Sequence, residues 1–287
     1  MNCTPAPLEP SSAPAYICRH GSTRLLGEFT AGGGAIFPRG CDVLLRTDRG
    51  QEIGQVLCPS VPRAVEQLSE PTRGQIVRPL TTEDRQRLEK LREQQRTEYD
   101  AGLRLIQQRR LQMELVDVEH LFGGERIIFY FLAEKRVDFR ELVKDLAREL
   151  QSRIELRQIG PRDEAKLKAD YGDCGKPVCC NTHMTVMPPV SMKMAKVQKS
   201  TLDPSKISGR CGRLKCCLRF EQDVYEEFQK ELPSPGTRIL TKKGKGRVLA
   251  QEILAGQLLV ETEDHRRVLV PAGDVLTVLN RGSGNND

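Results

Sequence analysis

The 287-residue sequence contains no tryptophan, and aromatic residues make up only 5% of it. No part of the chain can therefore be organised around a large aromatic core. Long apolar runs are missing as well. The longest, 127–133, is far short of the roughly 20 residues a membrane-spanning helix needs, so no membrane insertion is expected. Residues 1–15 are rich in Pro, Ala and Ser and carry neither a basic leader nor an apolar stretch, which argues against a secretory signal and predicts a disordered extension. A soluble cytoplasmic protein is expected. The hallmarks of catalysis are also absent: no triad, paired carboxylates or nucleotide-binding loop is recognisable. Gly32-Gly33-Gly34 has neither a Lys-Ser/Thr ending nor a following helix, and reads as a connection rather than a phosphate cradle. No intrinsic enzymatic activity is expected.

What the chain has is cysteine. Six of its ten cysteines fall in one phrase written twice, Cys174-Gly175-Lys176-Pro177-Val178-Cys179-Cys180 and Cys211-Gly212-Arg213-Leu214-Lys215-Cys216-Cys217. Thiolates are soft ligands for zinc, copper(I) or iron-sulfur clusters, and Gly175 and Gly212 allow the sharp turn that aims several sulfurs at one point. Adjacent cysteines rarely both ligate one ion comfortably, so each box need not give all three sulfurs to one centre. A thiol-disulfide pair and inert buried thiols remain open beside a metal site, although clustered cysteines in a reducing compartment favour metal or redox chemistry over structural bridges. His183, three residues past the first box, is a further candidate donor. Cys3, Cys18, Cys41 and Cys58 lack ligand-like spacing and read as incidental or buried thiols.

Charge is localised too. The formal net charge is +6, yet 190–220 alone carries Lys193, Lys196, Lys199, Lys206, Arg210, Arg213, Lys215 and Arg219 against Asp203. Such a focus attracts phosphate backbones or an acidic protein face, and a solvated loop is the plain alternative.

Read in order, the chain is α+β. Residues 16–79 form a small β unit, with a hairpin at 40–57 turning on Asp48-Arg49-Gly50. Residues 80–170 form an α-β-β-α-β layer with its helices on one sheet face. It opens with a helix from Thr81, which Asp84 closes as a capping box, to Arg110. The middle of this helix is polar and its apolar stripe, Leu88, Leu91, Leu105 and Ile106, is thin. Strands follow at 113–118 and 126–132, the second continuously apolar as a buried central strand should be. A helix started by Asp138 and Glu141 and a strand at 153–159 complete the layer. Residues 171–232 are the duplicated cysteine module, with a short helix through Met192, Met194 and Val197 and a closing helix over 221–231. Pro233-Ser234-Pro235-Gly236 links it to five short strands in 233–280, spaced as in an SH3-like barrel, and 281–287 is expected to be a disordered tail.

The residues around the second box carry a resemblance. Pro189-Val190-Ser191-Met192-Lys193-Met194-Ala195-Lys196, Leu202-Asp203-Pro204-Ser205-Lys206-Ile207-Ser208-Gly209 and Leu218-Arg219-Phe220-Glu221 are similar to the signature of the bacterial YaaT-like stage-zero sporulation proteins, members of the PSP C-terminal domain family. The similarity is densest over 173–221 and looser over 16–170. It implies a non-catalytic regulatory or adaptor subunit in a complex with two smaller partner proteins, associated with ribonuclease Y in messenger RNA processing. It also implies an iron-sulfur cluster, of the [4Fe-4S] type, whose ligation is shared among subunits; Cys174, Cys179, Cys180, Cys211, Cys216 and Cys217 are the candidate ligands. Read from the residues alone, a zinc-stabilised RNA-binding module or a thiol-disulfide redox protein also suits the boxes. Direct RNA contact would fall to the eight basic residues of 190–220.

Overall fold

A computed structural model describes residues 14–66, 68, 71–168, 171–184 and 187–280. The terminal extension and tail expected at 1–15 and 281–287 lie outside these, apart from residues 14 and 15. The chain divides into two compact units, Met1–Met187 with Arg210–Arg213, and Pro188–Gly209 with Leu214–Asp287.

The first unit opens with five strands: β1 (Ala15–His20), β2 (Leu25–Ala31), β3 (Asp42–Arg46), β4 (Gln51–Pro59) and, after a one-turn helix α1 (Pro62–Val65), β5 (Thr72–Pro79). They close into a barrel in the order β1-β2-β5-β3-β4. The hairpin expected at 40–57 is the β3-β4 pair, with Arg46 opposite Gln51. Alternating residues fill the interior: Tyr16, Cys18, Phe29, Val43, Leu45, Val56 and Ile76 are buried together. Burial pushes the Cys18 thiol up to about 12, as expected of a cysteine that serves as a small core residue. Neighbouring strands come too close to Gly27 and Gly74 for a side chain. A Cβ on Gly27 would stand 2.4 Å from the Thr72 carbonyl oxygen and one on Gly74 2.1 Å from the Arg46 carbonyl oxygen, with the Phe29 ring the next obstacle at each.

The next elements are α2 (Thr82–Gln108), β6 (Glu114–His120), β7 (Ile127–Leu132), α3 (Arg140–Leu150), β8 (Ile154–Gln158) and α4 (Pro161–Lys168). Thr81 caps α2 with the expected box: its Oγ1 accepts from the Asp84 amide at 3.2 Å, and the Asp84 carboxylate accepts from the Thr81 amide at 2.9 Å. The first half of α2 puts Leu91 against Leu44 and Phe122, and its last turns put Leu105 and Ile106 into the sheet core. The cap of α3 lies one residue later than expected, at Phe139; the Asp138 carboxylate accepts from the Arg140 amide at 3.2 Å. β7 is the central strand, antiparallel to β6 and parallel to β8, with Ile127 to Phe131 all buried. Helices cover both of its faces. Leu105, Ile106, Leu142 and Leu146 of α2 and α3 pack with Phe129, whereas Leu167 of α4 packs with Ile128 and Tyr130 on the other side. This corrects the one-sided layer expected from the sequence, and it is why β7 is apolar throughout.

The second unit holds α5 (Met192–Val197), α6 (Pro204–Ile207), α7 (Cys216–Glu231) and the strands β9 (Arg238–Thr241), β10 (Gly244–Glu252), β11 (Gln257–Thr262), β12 (Arg267–Pro271) and β13 (Val275–Asn280). Ala195 is the buried residue of α5, while Met192 is exposed, so packing here rests on the small residue rather than on the methionine. The five strands stand where they are expected and pair as a sheet in the order β12-β11-β10-β9-β13, over a core of Leu232, Ile239, Val248, Leu258, Val260 and Val270. Among the described residues no helix is long and apolar enough to cross a membrane.

Candidate metal centre in the duplicated cysteine boxes

The phrase written twice in the sequence is also folded twice. In the first copy, Tyr171 and Pro177 form an antiparallel bridge around a tight loop; in the second, Ser208 and Leu214 do the same at the matching positions. The glycine after each leading cysteine adopts a left-handed conformation, with φ 74° at Gly175 and 70° at Gly212. Nothing would touch a Cβ at either position, so glycine is required there by backbone conformation rather than by space. Val178 (φ −55°, ψ 132°) and Lys215 (φ −57°, ψ 131°) then take nearly the same dihedral angles, and each starts a helical turn with its Cys-Cys pair. After Cys179-Cys180 the turn is a single 3-10 turn, Cys179–Asn181, closed by the Met184 amide donating to the Cys179 carbonyl at 2.9 Å. After Cys216-Cys217 it continues as α7, which therefore begins five residues before the expected closing helix.

The two boxes differ in the exposure of their cysteines, and only the middle pair, Cys179 and Cys216, matches. The leading Cys174 is exposed and Cys211 half-buried; Cys179, Cys180 and Cys216 are half-buried, and Cys217 is exposed. Although Cys217 as a residue is exposed, partial burial of its thiol, together with Cys216 and Glu221, pushes it above its ordinary value.

Within the first unit the two leading cysteines are drawn to a common neighbourhood by the residues before them. The guanidinium of Arg210 donates to the Tyr171 carbonyl at 3.3 Å and lies 3.7 Å from the Asp173 carboxylate. Arg210 precedes Cys211 and Asp173 precedes Cys174. Both side chains are well exposed, so this pair contributes position more than stability.

The donor set fits a thiolate-bound centre in its chemistry, but a single box does not supply a full shell. Among the described residues, no three Cys, His, Asp or Glu side chains are gathered as for a metal ion. His183 is exposed, and its Nδ1 is 3.1 Å from Thr182 Oγ1.

The basic run is partly matched by acids. Lys199 pairs with Glu252 at 2.7 Å, Arg219 with Asp223 at 2.8 Å, and Arg210 with Asp173 as above. Lys193, Lys196, Lys206 and Arg213 are exposed, and Lys215 is half-buried as the residue that starts α7. Sequence reasoning missed a second cationic feature. Arg19, Arg24 and Arg39, far apart in the chain and each unremarkable alone, line one cavity with Cys180 and His183. The only sequence signal was the short basic turn Arg19-His20-Gly21-Ser22-Thr23-Arg24.

A family model described as the PSP1 C-terminal conserved region matches residues 74–159, and one described as the third domain of PSP1-like proteins matches 189–232. The Bacillus subtilis stage 0 sporulation protein YaaT is 42% identical over 227 residues, covering 79% of this chain and 82% of that protein. An uncharacterised protein of Schizosaccharomyces pombe is 43% identical over 49 residues, 17% of this chain and 6% of its own length. No solved structure matches.

Proposed function

The chain belongs to the family of the stage 0 sporulation protein YaaT, and from that premise we propose that it is a cytoplasmic, non-catalytic regulatory subunit whose duplicated boxes hold an iron-sulfur cluster within an RNA-processing assembly. One observation carries the reading. Two copies of one cysteine loop have the same bridge, the same left-handed glycine and the same helical start, and Arg210 with Asp173 joins the approaches to their leading cysteines. Inert buried thiols do not call for a repeated backbone, and a single redox pair does not call for six sulfurs.

Cys174, Cys179, Cys180, Cys211, Cys216 and Cys217 are the ligand candidates, with sulfurs of partner subunits completing the shell where one box falls short. When bound, an iron-sulfur cluster supplies an oxygen-sensitive cross-link whose charge responds to redox state. The chain's own residues do the rest. Gly175 and Gly212 turn the loops, and the N-terminal end of α7 favours negative charge at Cys216 and Cys217. Lys193, Lys196 and Lys206 in the second unit, and Arg213 in the first, are exposed cations for RNA or for an acidic partner face. The partners in this reading are two smaller subunits and a ribonuclease Y-type endonuclease.

Anaerobic purification, of the protein alone and co-expressed with its partner subunits, tests the reading. Visible iron-sulfide absorption with acid-labile sulfide supports it. Colourless protein containing zinc would instead point to a zinc-stabilised RNA-binding module, and metal-free protein with titratable thiols to a thiol-disulfide role.

A further inference from the structure

A cavity of about 410 Å³ opens on the barrel wall beside the first cysteine box, and all of its lining residues belong to the first unit. Separate segments build it. β1 supplies Arg19, and the turn after it supplies Arg24. The stretch before β3 supplies Arg39, and β4 supplies Gln55. The box contributes Cys180, and the turn after it Asn181 and His183. The lining contains three guanidinium groups and no Asp or Glu.

The way the cations are held sets this cavity apart. Elsewhere in the unit, arginines are matched to carboxylates, as in Arg104 with Glu149, Arg109 with Asp145 and Arg126 with Glu155. Here neutral groups position them: Arg19 donates to Gln55 Oε1 at 2.8 Å, and Arg24 donates to the Asn181 carbonyl at 3.0 Å. A neutral acceptor fixes the direction of a guanidinium without cancelling its charge. Burial, and to a lesser extent the repulsion of the nearby Arg24, lowers the proton affinity of Arg19. An arginine cannot relieve that repulsion by losing its proton in the physiological range. A lining of cations without carboxylates suits an anion from outside.

The shape and chemistry of the cavity narrow the choice. Planar guanidinium forks match the paired oxygens of a phosphate better than a point charge does. The volume falls in the range of small-ligand sites, and Leu26 and Leu57 add an apolar wall that a base or sugar can cover. We infer that this cavity binds the phosphate group of a nucleotide, either free or at the end of an RNA strand, with Arg19, Arg24 and Arg39 as its cations. The site shares no residue with the basic run 193–219 and does not depend on the metal reading. Because Cys180 lines the same cavity, ligand occupancy falls next to the first box.

Isothermal titration of the full-length protein tests this with 5′-AMP, adenosine, inorganic phosphate, and short oligoribonucleotides ending in either a 5′-phosphate or a 5′-hydroxyl. The site predicts binding that requires the phosphate. It also predicts a loss of about tenfold or more in the Arg24→Gln, Arg39→Gln double variant, as expected when charge-assisted hydrogen bonds are removed. Both residues are exposed, and unchanged circular dichroism of the double variant verifies that the fold is kept. The Lys90→Gln variant, which removes an exposed cation outside the cavity, should bind as the parent does. Binding of 5′-AMP identifies a free nucleotide as sufficient, whereas binding of the 5′-phosphorylated oligonucleotide alone identifies a strand end. The inference is overturned if no probe binds in a phosphate-dependent way, or if the double variant binds as tightly as the parent. Iron content is read separately, so this site and the metal centre can fail independently.

Discussion

Arg49, in the turn between β3 and β4, and Glu119, in β6, form an ion pair with only 10% and 8% of their side chains exposed. It joins the barrel to the three-stranded sheet. Glu119 also accepts from the Tyr130 hydroxyl at 2.6 Å and from the Ser22 amide at 2.8 Å, while Glu52 lies 3.5 Å from Arg49 and accepts from Thr47 Oγ1 at 2.6 Å. Burial alone would lower the proton affinity of Arg49, but Glu119 and Glu52 more than reverse it. Removing one member strands the others without a countercharge. Arg49→Ala should therefore cost about 3–5 kcal/mol, read from urea unfolding, and a loss below about 1 kcal/mol would mean that water already shares the charge.

Glu52 gives this network a pH dependence. Burial would raise its carboxyl, but the hydrogen bond and charge of His20, then Arg49 and Thr47, bring it below its ordinary value of 4.5. A carboxylate depressed on folding stabilises the fold above its unfolded value, and that contribution is lost as pH falls through the folded value. The stability gap between the parent and Glu52→Gln should therefore be full at neutral pH and shrink below pH 4.5. A gap that is constant with pH would contradict the assignment.

The start of α2 offers a smaller test. Thr81 Oγ1 accepts from the Asp84 amide, and Asp84 returns the bond to the Thr81 amide. Thr81→Ala should cost about 1 kcal/mol in thermal or urea unfolding.

The glycines of the boxes test whether the repeated loops matter to one another's chemistry. Gly175→Ala and Gly212→Ala meet no steric obstacle, yet each places a side chain in the left-handed region at a cost of roughly 1–2 kcal/mol. Each should lower the iron bound per chain by a comparable fraction. A loss in one variant only would mean that a single box carries the centre.

Local signals were legible in the sequence and long-range ones were not. The β3-β4 hairpin, the capped α2 and the apolar β7 each announce themselves within a few consecutive residues. Closure of the barrel depends on β1 pairing with β4 and on β2 running parallel to β5, contacts between segments tens of residues apart that leave no periodic mark. The early start of α7 was hidden because Cys216-Cys217 read as ligands rather than as a first helical turn. Of the candidate centre, the six cysteines and the two turning glycines could be read directly. The Arg210–Asp173 contact and the arginine-lined cavity could not, since each is assembled from residues that meet only on folding.

The most direct test compares iron and acid-labile sulfide per chain in two variants purified anaerobically with partner subunits. One replaces Cys174, Cys179, Cys180, Cys211, Cys216 and Cys217 with serine; the other carries Cys41→Ser and Cys58→Ser in the barrel. Iron and sulfide should be lost from the first and retained in the second. Equal content in both would contradict the assignment of the inorganic centre to the duplicated boxes.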